Sequence, residues 1–176
     1  MSKELILKIC LFGDRNVGKT SLTTQAGIQK KEVKPPVCID FAIKNLTINS
    51  SKIILQLWNL RSDPQFQFIF PTFMRGVSGG IFMYDITNYS SINNLKKWLT
   101  LFNDTLSNEK KKVPLLMVGG KSDLYKERVI STKYAEKISK KYKILKNFEC
   151  SSKTGENVDK IFEFLTRSIL KVESYS

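Results

Sequence analysis

The chain contains no histidine. That absence removes imidazole general-base catalysis and histidine-ligated metals, and leaves positioning and electrostatics as the catalytic means. Cysteine is scarce. Cys10, Cys38 and Cys150 are scattered, odd in number and without metal-ligand spacing, which points to a reducing, cytosolic compartment and away from a disulfide framework. No apolar run reaches the ~18 residues a membrane span requires, and residues 5–12 are too short and wrongly flanked for a signal peptide. Position 2 is Ser rather than Gly and residues 172–176 hold no cysteine to prenylate, so the expectation is a cytoplasmic protein with no stable membrane anchor. Acidic residues are few, 16 against 29 Lys and Arg, for a formal net charge of +13. The lysines are spread along the chain without the interleaved aromatics of a base-stacking platform. The charge therefore reads as a solvated face and not as a specific nucleic-acid surface, with residues 137–146 the best place for an acidic partner.

What the chain does have suffices for one core: 176 residues at 41% hydrophobic content suit a single domain, read as residues 1–171 with a short tail at 172–176. Apolar strand-like runs alternate with helix-period stretches, the pattern of an α/β sheet with helices on both faces. Strands are expected at 5–12, 41–48, 53–60, 80–84, 115–119 and 144–149, and helices near 18–29, 91–106, 131–141 and 157–170. Only the turn Asn49-Ser50-Ser51 separates the second and third strands, so these two form an antiparallel hairpin while the others run parallel. In the last helix Val158, Ile161, Phe162, Leu165 and Ile169 make an apolar stripe for the core.

Residues 13–20 read Gly-Asp-Arg-Asn-Val-Gly-Lys-Thr, the G-x-x-x-x-G-K-[ST] pattern, directly after the first strand and before the first helix. In that context it is a phosphate-binding loop. The two glycines let the backbone curl until successive N–H groups converge on phosphate oxygens. The binding segment runs from Gly13 through Asp14, Arg15, Asn16, Val17, Gly18, Lys19 and Thr20 to Ser21, with Lys19 reaching the β- and γ-phosphates and the Thr20 hydroxyl ligating Mg²⁺.

Ligands of open α/β sheets lie at the C-terminal ends of strands, where this chain carries Gly119-Gly120-Lys121-Ser122-Asp123-Leu124. The Asp123 carboxylate can accept from the N1–H and 2-amino group of guanine, whereas adenine presents an acceptor at N1 and is repelled. Lys121 can lay its aliphatic stem along one face of the base. Cys150-Ser151-Ser152-Lys153, after the next strand, can offer the Ser152 N–H to the guanine carbonyl, and Leu124, Ser151 and Lys153 complete the base-side set.

On these residues the chain resembles the small GTPases of the Ras superfamily, and Rab-like proteins in particular. The resemblance is carried by the loop at 13–20, Ile39-Asp40-Phe41, Leu55-Gln56-Leu57-Trp58, Arg75-Gly76, Tyr84-Asp85-Ile86-Thr87, Val118-Gly119 with Lys121-Ser122-Asp123-Leu124, and Cys150-Ser151-Ser152-Lys153-Thr154-Gly155. It covers nearly the whole chain. It implies a P-loop NTPase G domain: a six-stranded, mostly parallel sheet with one antiparallel hairpin strand and about five helices on both faces. It also implies GTP and GDP as ligands, Mg²⁺, and effector and regulatory proteins docking at residues 31–41 and 60–75, where Phe66, Phe68, Phe70 and Phe73 crowd together.

The chain departs from that family in the parts that switch and hydrolyse. The threonine of the family's first switch falls on Pro36, which has neither hydroxyl nor N–H, and Cys38 replaces a glycine nearby. The family's Trp-Asp-x-x-Gly-Gln becomes Trp58-Asn59-Leu60-Arg61-Ser62-Asp63. Asn59 can bond a metal-bound water but brings no charge; Ser62 keeps a backbone N–H for the γ-phosphate. Asp63 occupies the position of the water-orienting glutamine, and an ionised Asp is acceptor-only and repelled by a triphosphate. Arg15 admits two roles: an arginine finger in cis, worth roughly 10³ to 10⁵ in rate, or a solvent-facing side chain paired with a carboxylate such as Asp63. Gly120 replaces an asparagine whose lost hydrogen bond is worth about 1 kcal/mol. Two functions remain open: a guanine-nucleotide switch with slow or partner-dependent GTP hydrolysis, and a non-hydrolysing pseudo-GTPase scaffold for protein–protein interaction.

Overall fold

A computed structural model of the chain describes residues 4–26, 39–60, 62–107 and 112–174. In chain order the elements are β1 (Glu4–Gly13), α1 (Lys19–Gln25), β2 (Ile39–Ile48), β3 (Ser51–Leu60), a 3₁₀ stretch (Pro64–Ile69), α2 (Phe70–Met74), β4 (Gly79–Asp85), α3 (Tyr89–Asn93), α4 (Leu95–Leu106), β5 (Leu115–Gly120), a second 3₁₀ stretch (Ser122–Glu127), α5 (Thr132–Lys141), β6 (Lys146–Glu149) and α6 (Val158–Ser174). The strands form one six-stranded sheet in the order β2-β3-β1-β4-β5-β6. Only the β2–β3 pair is antiparallel, as the short Asn49-Ser50 turn requires. No helix among the described residues is long and apolar enough to cross a membrane.

Alternation along β1 divides the core into two layers. Leu7, Ile9 and Leu11 face one side, where they join the α6 stripe of Val158, Ile161, Phe162, Leu165 and Ile169. Cys10 and Phe12 face the other, against Phe82, Tyr84, Trp98 and Phe102, with the Phe12 and Phe102 rings stacked at 5.3 Å. From Ile9 to Gly13 both faces of β1 are covered, so the loop that leaves its C-terminus starts from a fixed point.

Two boundaries differ most from the sequence reading, and a third falls outside the described residues. The single helix expected at 91–106 is two, and with α2, for which the sequence reading gave no range, the described residues hold six helices: the Asn88 side chain accepts from the Ser90 N–H to start α3, and Asn94, at φ −75° and ψ −2°, separates it from α4. Strand β6 begins only at Lys146, because Lys143 takes a left-handed conformation at φ 54° and Ile144 bonds back to the Ser139 carbonyl. The extension of α1 to residue 29 lies outside the described residues, as do Pro36, Cys38 and Arg61.

The four phenylalanines of the second-switch region separate by environment. Phe70 is buried, Phe66 and Phe73 pack partly against the core, and Phe68 stands 78% exposed.

Candidate nucleotide-binding site

The parallel register lines up the C-terminal ends of four strands. Leu11 of β1 lies beside Asn59 of β3, Gly13 beside Met83 of β4, and Asp85 of β4 beside Gly120 of β5. Above this row opens a cleft of about 440 Å³ bordered by Arg15, Gly18, Lys19, Thr20, Asn59, Asp63 and Lys121, among others.

Gly13 shows why the loop begins with glycine. Its φ is +135°, and a Cβ there would fall 2.2 Å from the Met83 carbonyl oxygen, an impossible contact. The loop curls around the Lys19 ammonium, which donates to the carbonyls of Gly13 at 2.9 Å and Asp14 at 2.6 Å. Burial penalises that ammonium and pushes its pKa down to about 8, while the charges of Asp14, Asp40 and Asp63 pull the other way.

A phosphate anion beside Lys19 favours the charged form, so binding raises this pKa. Anion affinity is then fully present below about pH 8 and is lost as the pH rises from there toward the bound-state value. Nucleotide titrations of the stripped protein between pH 7 and 9.5 are expected to show this weakening; a flat profile contradicts it.

The base-side loops are tied to each other. Ser151 is fully buried. Its hydroxyl donates to Asp123 Oδ1 at 2.5 Å and accepts the N–H groups of Lys153 and Thr154. This fixes the carboxylate plane, and since each carboxylate oxygen accepts more than one hydrogen bond, Asp123 can still receive two donors from a base edge. Ser122 N–H bonds the Cys150 carbonyl, so the two loops move as one. Lys121 adopts a left-handed conformation at φ 67° and its ammonium bonds Asp85 Oδ2 at 2.6 Å. Burial alone raises the Asp85 carboxyl, but the bonds from Lys121 and Thr87 outweigh it and hold the group below the usual carboxylate range. The Lys121 stem is thereby fixed at the cleft wall.

Gly120 packs its backbone against the phosphate loop: a Cβ there would lie 2.6 Å from the Val17 carbonyl oxygen. The two loops meet main chain to main chain in place of a side-chain brace.

The Ras family's model matches residues 8–171. The chain belongs to the Ras family. Its relatives include the Ras-related protein SEC4 of Saccharomyces cerevisiae, 35% identical over 170 residues that cover 96% of this chain and 77% of that protein. The Ras-related protein Rab-12 of Mus musculus is 34% identical over 94% of this chain and 68% of its own length. The Ypt/Rab-type GTPase YPT7 of Saccharomyces cerevisiae is 32% identical over 96% of this chain and 84% of its own length. The chain is thus a Rab-like member of the Ras family.

Of the residues singled out from sequence, this Ras-family fold brings Arg15, Asn16, Gly18, Lys19, Thr20, Ser21, Ser62, Asp63 and Lys121 onto one cleft. It joins Asp123 to Ser151 beside them. Arg15 is exposed and also borders a neighbouring hollow with Asp14, Ser62 and Asp63; among the described residues no ion pair joins Arg15 to Asp63.

The donor set beside Lys19 suits a hard divalent cation, which takes oxygen ligands and usually completes its shell with phosphate and water. Thr20 Oγ1, the Asp40 carboxylate and the Asn59 amide converge there. Asn59 is nearly fully buried, and its Oδ1 has no hydrogen-bond partner among the described residues. Mg²⁺ fits these residues, and Thr20 is the residue that would hold it.

Two contributions escaped the sequence reading. Asp14 accepts from Asn94 Nδ2 at 2.7 Å and from Trp98 Nε1 at 3.0 Å, anchoring the phosphate loop to α4. The i, i+4 spacing of Asn94 and Trp98 puts both on one helix face, but nothing in it names Asp14 as their acceptor. The second is a ring cluster, with Trp58 5.3 Å from Phe41 and 5.8 Å from Phe73.

Proposed function

We propose that the protein is a guanine-nucleotide-binding switch that takes GTP and GDP with Mg²⁺ and hydrolyses GTP slowly or only when a partner completes the site. The observation that supports this reading is the shared cleft: Lys19, Thr20, Asp63 and Lys121 border it together, and Asp123, two residues after Lys121, is fixed by Ser151. Each residue then has a task. Lys19 and the loop amides hold the phosphates, Asp123 and the Ser152 N–H select guanine, and Lys121 flanks the base. Bound Mg²⁺ would neutralise the charge that develops on the phosphates.

Hydrolysis is limited by Asp63, which can accept a hydrogen bond from an attacking water but cannot donate one toward the γ-phosphate. Arg15, exposed at the same cleft, is on this reading the residue that would offset that loss, the alternative being a solvent-facing side chain. The acceptor-only Asp63 also supports a second reading, a non-hydrolysing scaffold. Effector and regulatory proteins dock, on this proposal, at residues 31–41 and 60–75, where Phe68 is exposed and Trp58 packs on Phe41 and Phe73.

Nucleotide released from the denatured protein, followed by single-turnover hydrolysis of loaded GTP, tests the proposal. Co-purified guanine nucleotide with slow turnover is expected, and Asp63→Gln should accelerate turnover on the order of tenfold, about 1.4 kcal/mol of barrier. GTP that persists for days in both proteins decides for the scaffold. A protein that takes no guanine nucleotide overturns both readings.

A further inference from the structure

We propose that Asp40 is the acidic residue of the divalent-cation site, supplying from β2 the carboxylate that Asn59 on β3 does not carry. The inference rests on the nucleotide-binding reading above and assigns a residue to it.

The hairpin register produces the placement. Asp40 and Asn59 are directly paired across the antiparallel β2–β3 ladder, so their side chains leave the same face as near neighbours. That face looks onto Thr20. Asp40 Oδ2 lies 3.5 Å from Thr20 Oγ1 and 3.4 Å from Asn59 Nδ2, and all three residues border the cleft. An octahedral site with metal–oxygen distances near 2.0–2.1 Å separates adjacent ligand oxygens by roughly 3 Å. The Thr20 and Asp40 oxygens, 3.5 Å apart, are slightly wider than that spacing, near enough for both to face one small cation.

Hydrogen bookkeeping at Thr20 points the same way. A hydroxyl that gives a lone pair to a cation must direct its hydrogen to an acceptor. Asn59 cannot be that acceptor as it stands, because its Nδ2 donates to Thr20 Oγ1 at 2.9 Å. The Asp40 carboxylate is the acceptor the structure aligns with this hydroxyl. It also holds Asn59 in place, since the amide end that faces Asp40 and Thr20 must be the donor end and Oδ1 is turned into the buried side.

Charge completes the case. An amide at 59 leaves the cation facing neutral protein ligands, whereas one carboxylate restores the hard, negatively charged oxygen that Mg²⁺ favours. Asp40 acts at the phosphate loop already, as one of the charges that favour protonated Lys19. Asp40 thus keeps a carboxylate beside Thr20 although its cross-strand partner is an amide.

The test measures cation affinity without turnover. Release of N-methylanthraniloyl-GDP is followed against buffered free Mg²⁺, with each protein's rate in excess EDTA as its own reference. A parallel Mn²⁺ titration is read by electron paramagnetic resonance. Asp40→Asn should raise the Mg²⁺ midpoint about tenfold, the scale on which supporting ligands tune metal affinity. Asn59→Asp in the Asp40→Asn background should recover most of that loss, which a merely structural defect at Asp40 does not permit. An unchanged midpoint in Asp40→Asn, with labelled GDP still retained, overturns this inference and leaves the nucleotide reading standing. A double variant that stays as weak as Asp40→Asn also overturns it. Failure of the unaltered protein to retain labelled GDP at any Mg²⁺ concentration overturns both.

Discussion

Asp123→Ala should lower GDP affinity more than a hundredfold and remove most of the preference for guanine over adenine. Charge-assisted hydrogen bonds contribute about 1.5–3 kcal/mol each, so losing two of them removes roughly 3 kcal/mol or more. The discrimination falls further than the affinity. A site built to hydrogen-bond a donor pair rejects a base lacking it by about 10⁴ or more, because the carboxylate is otherwise left facing another acceptor. Ser151 makes the prediction specific to chemistry: its hydroxyl fixes the Asp123 carboxylate but is itself held by the Lys153 and Thr154 N–H groups, so the loop keeps its own support when Asp123 is removed. Competition of GDP and ADP against a fluorescent guanine nucleotide measures both effects. Unaltered discrimination in the variant removes Asp123 from the base site.

Lys19→Ala should be comparably damaging, by a different route and with a different signature. The ammonium is the buried positive charge at the centre of the phosphate loop. On the nucleotide-binding reading its removal takes away the charged contact to the β-phosphate, for a loss of up to about a hundredfold in GDP affinity, and more for GTP, which loses a γ-phosphate contact as well. It also leaves the Gly13 and Asp14 carbonyls without the donor that now holds them. GDP and ADP affinities should fall together, since Lys19 reads phosphate and not base. The fall in affinity above about pH 8 should vanish with it, because Lys19 is the group whose pKa lies there. A variant that keeps the pH profile would show that another group titrates.

The strands were legible because β1, β3, β4 and β5 are buried on both faces or nearly so and announce themselves as apolar runs bounded by turn residues. The phosphate loop was legible because its glycines answer a local geometric need, seen at Gly13 against Met83. Contacts between distant residues were not. Nothing in the neighbourhood of Asp14 marks it as the acceptor for Trp98, 84 positions away, nor Asp40 as a neighbour of Thr20. Both follow from register and helix docking, which a single sequence encodes only through the whole packing. The split between α3 and α4 escaped for a local reason: Asn94 is compatible with helix by pattern, and only its backbone torsion breaks the run.

The Asp14 anchor bears on the cost of recognition. A loop tethered through its second residue to the indole and amide of α4 has already surrendered its conformational freedom when the chain folds. The entropy of ordering it is charged to folding, so a ligand meets a preformed socket and keeps more of its contact energy as affinity.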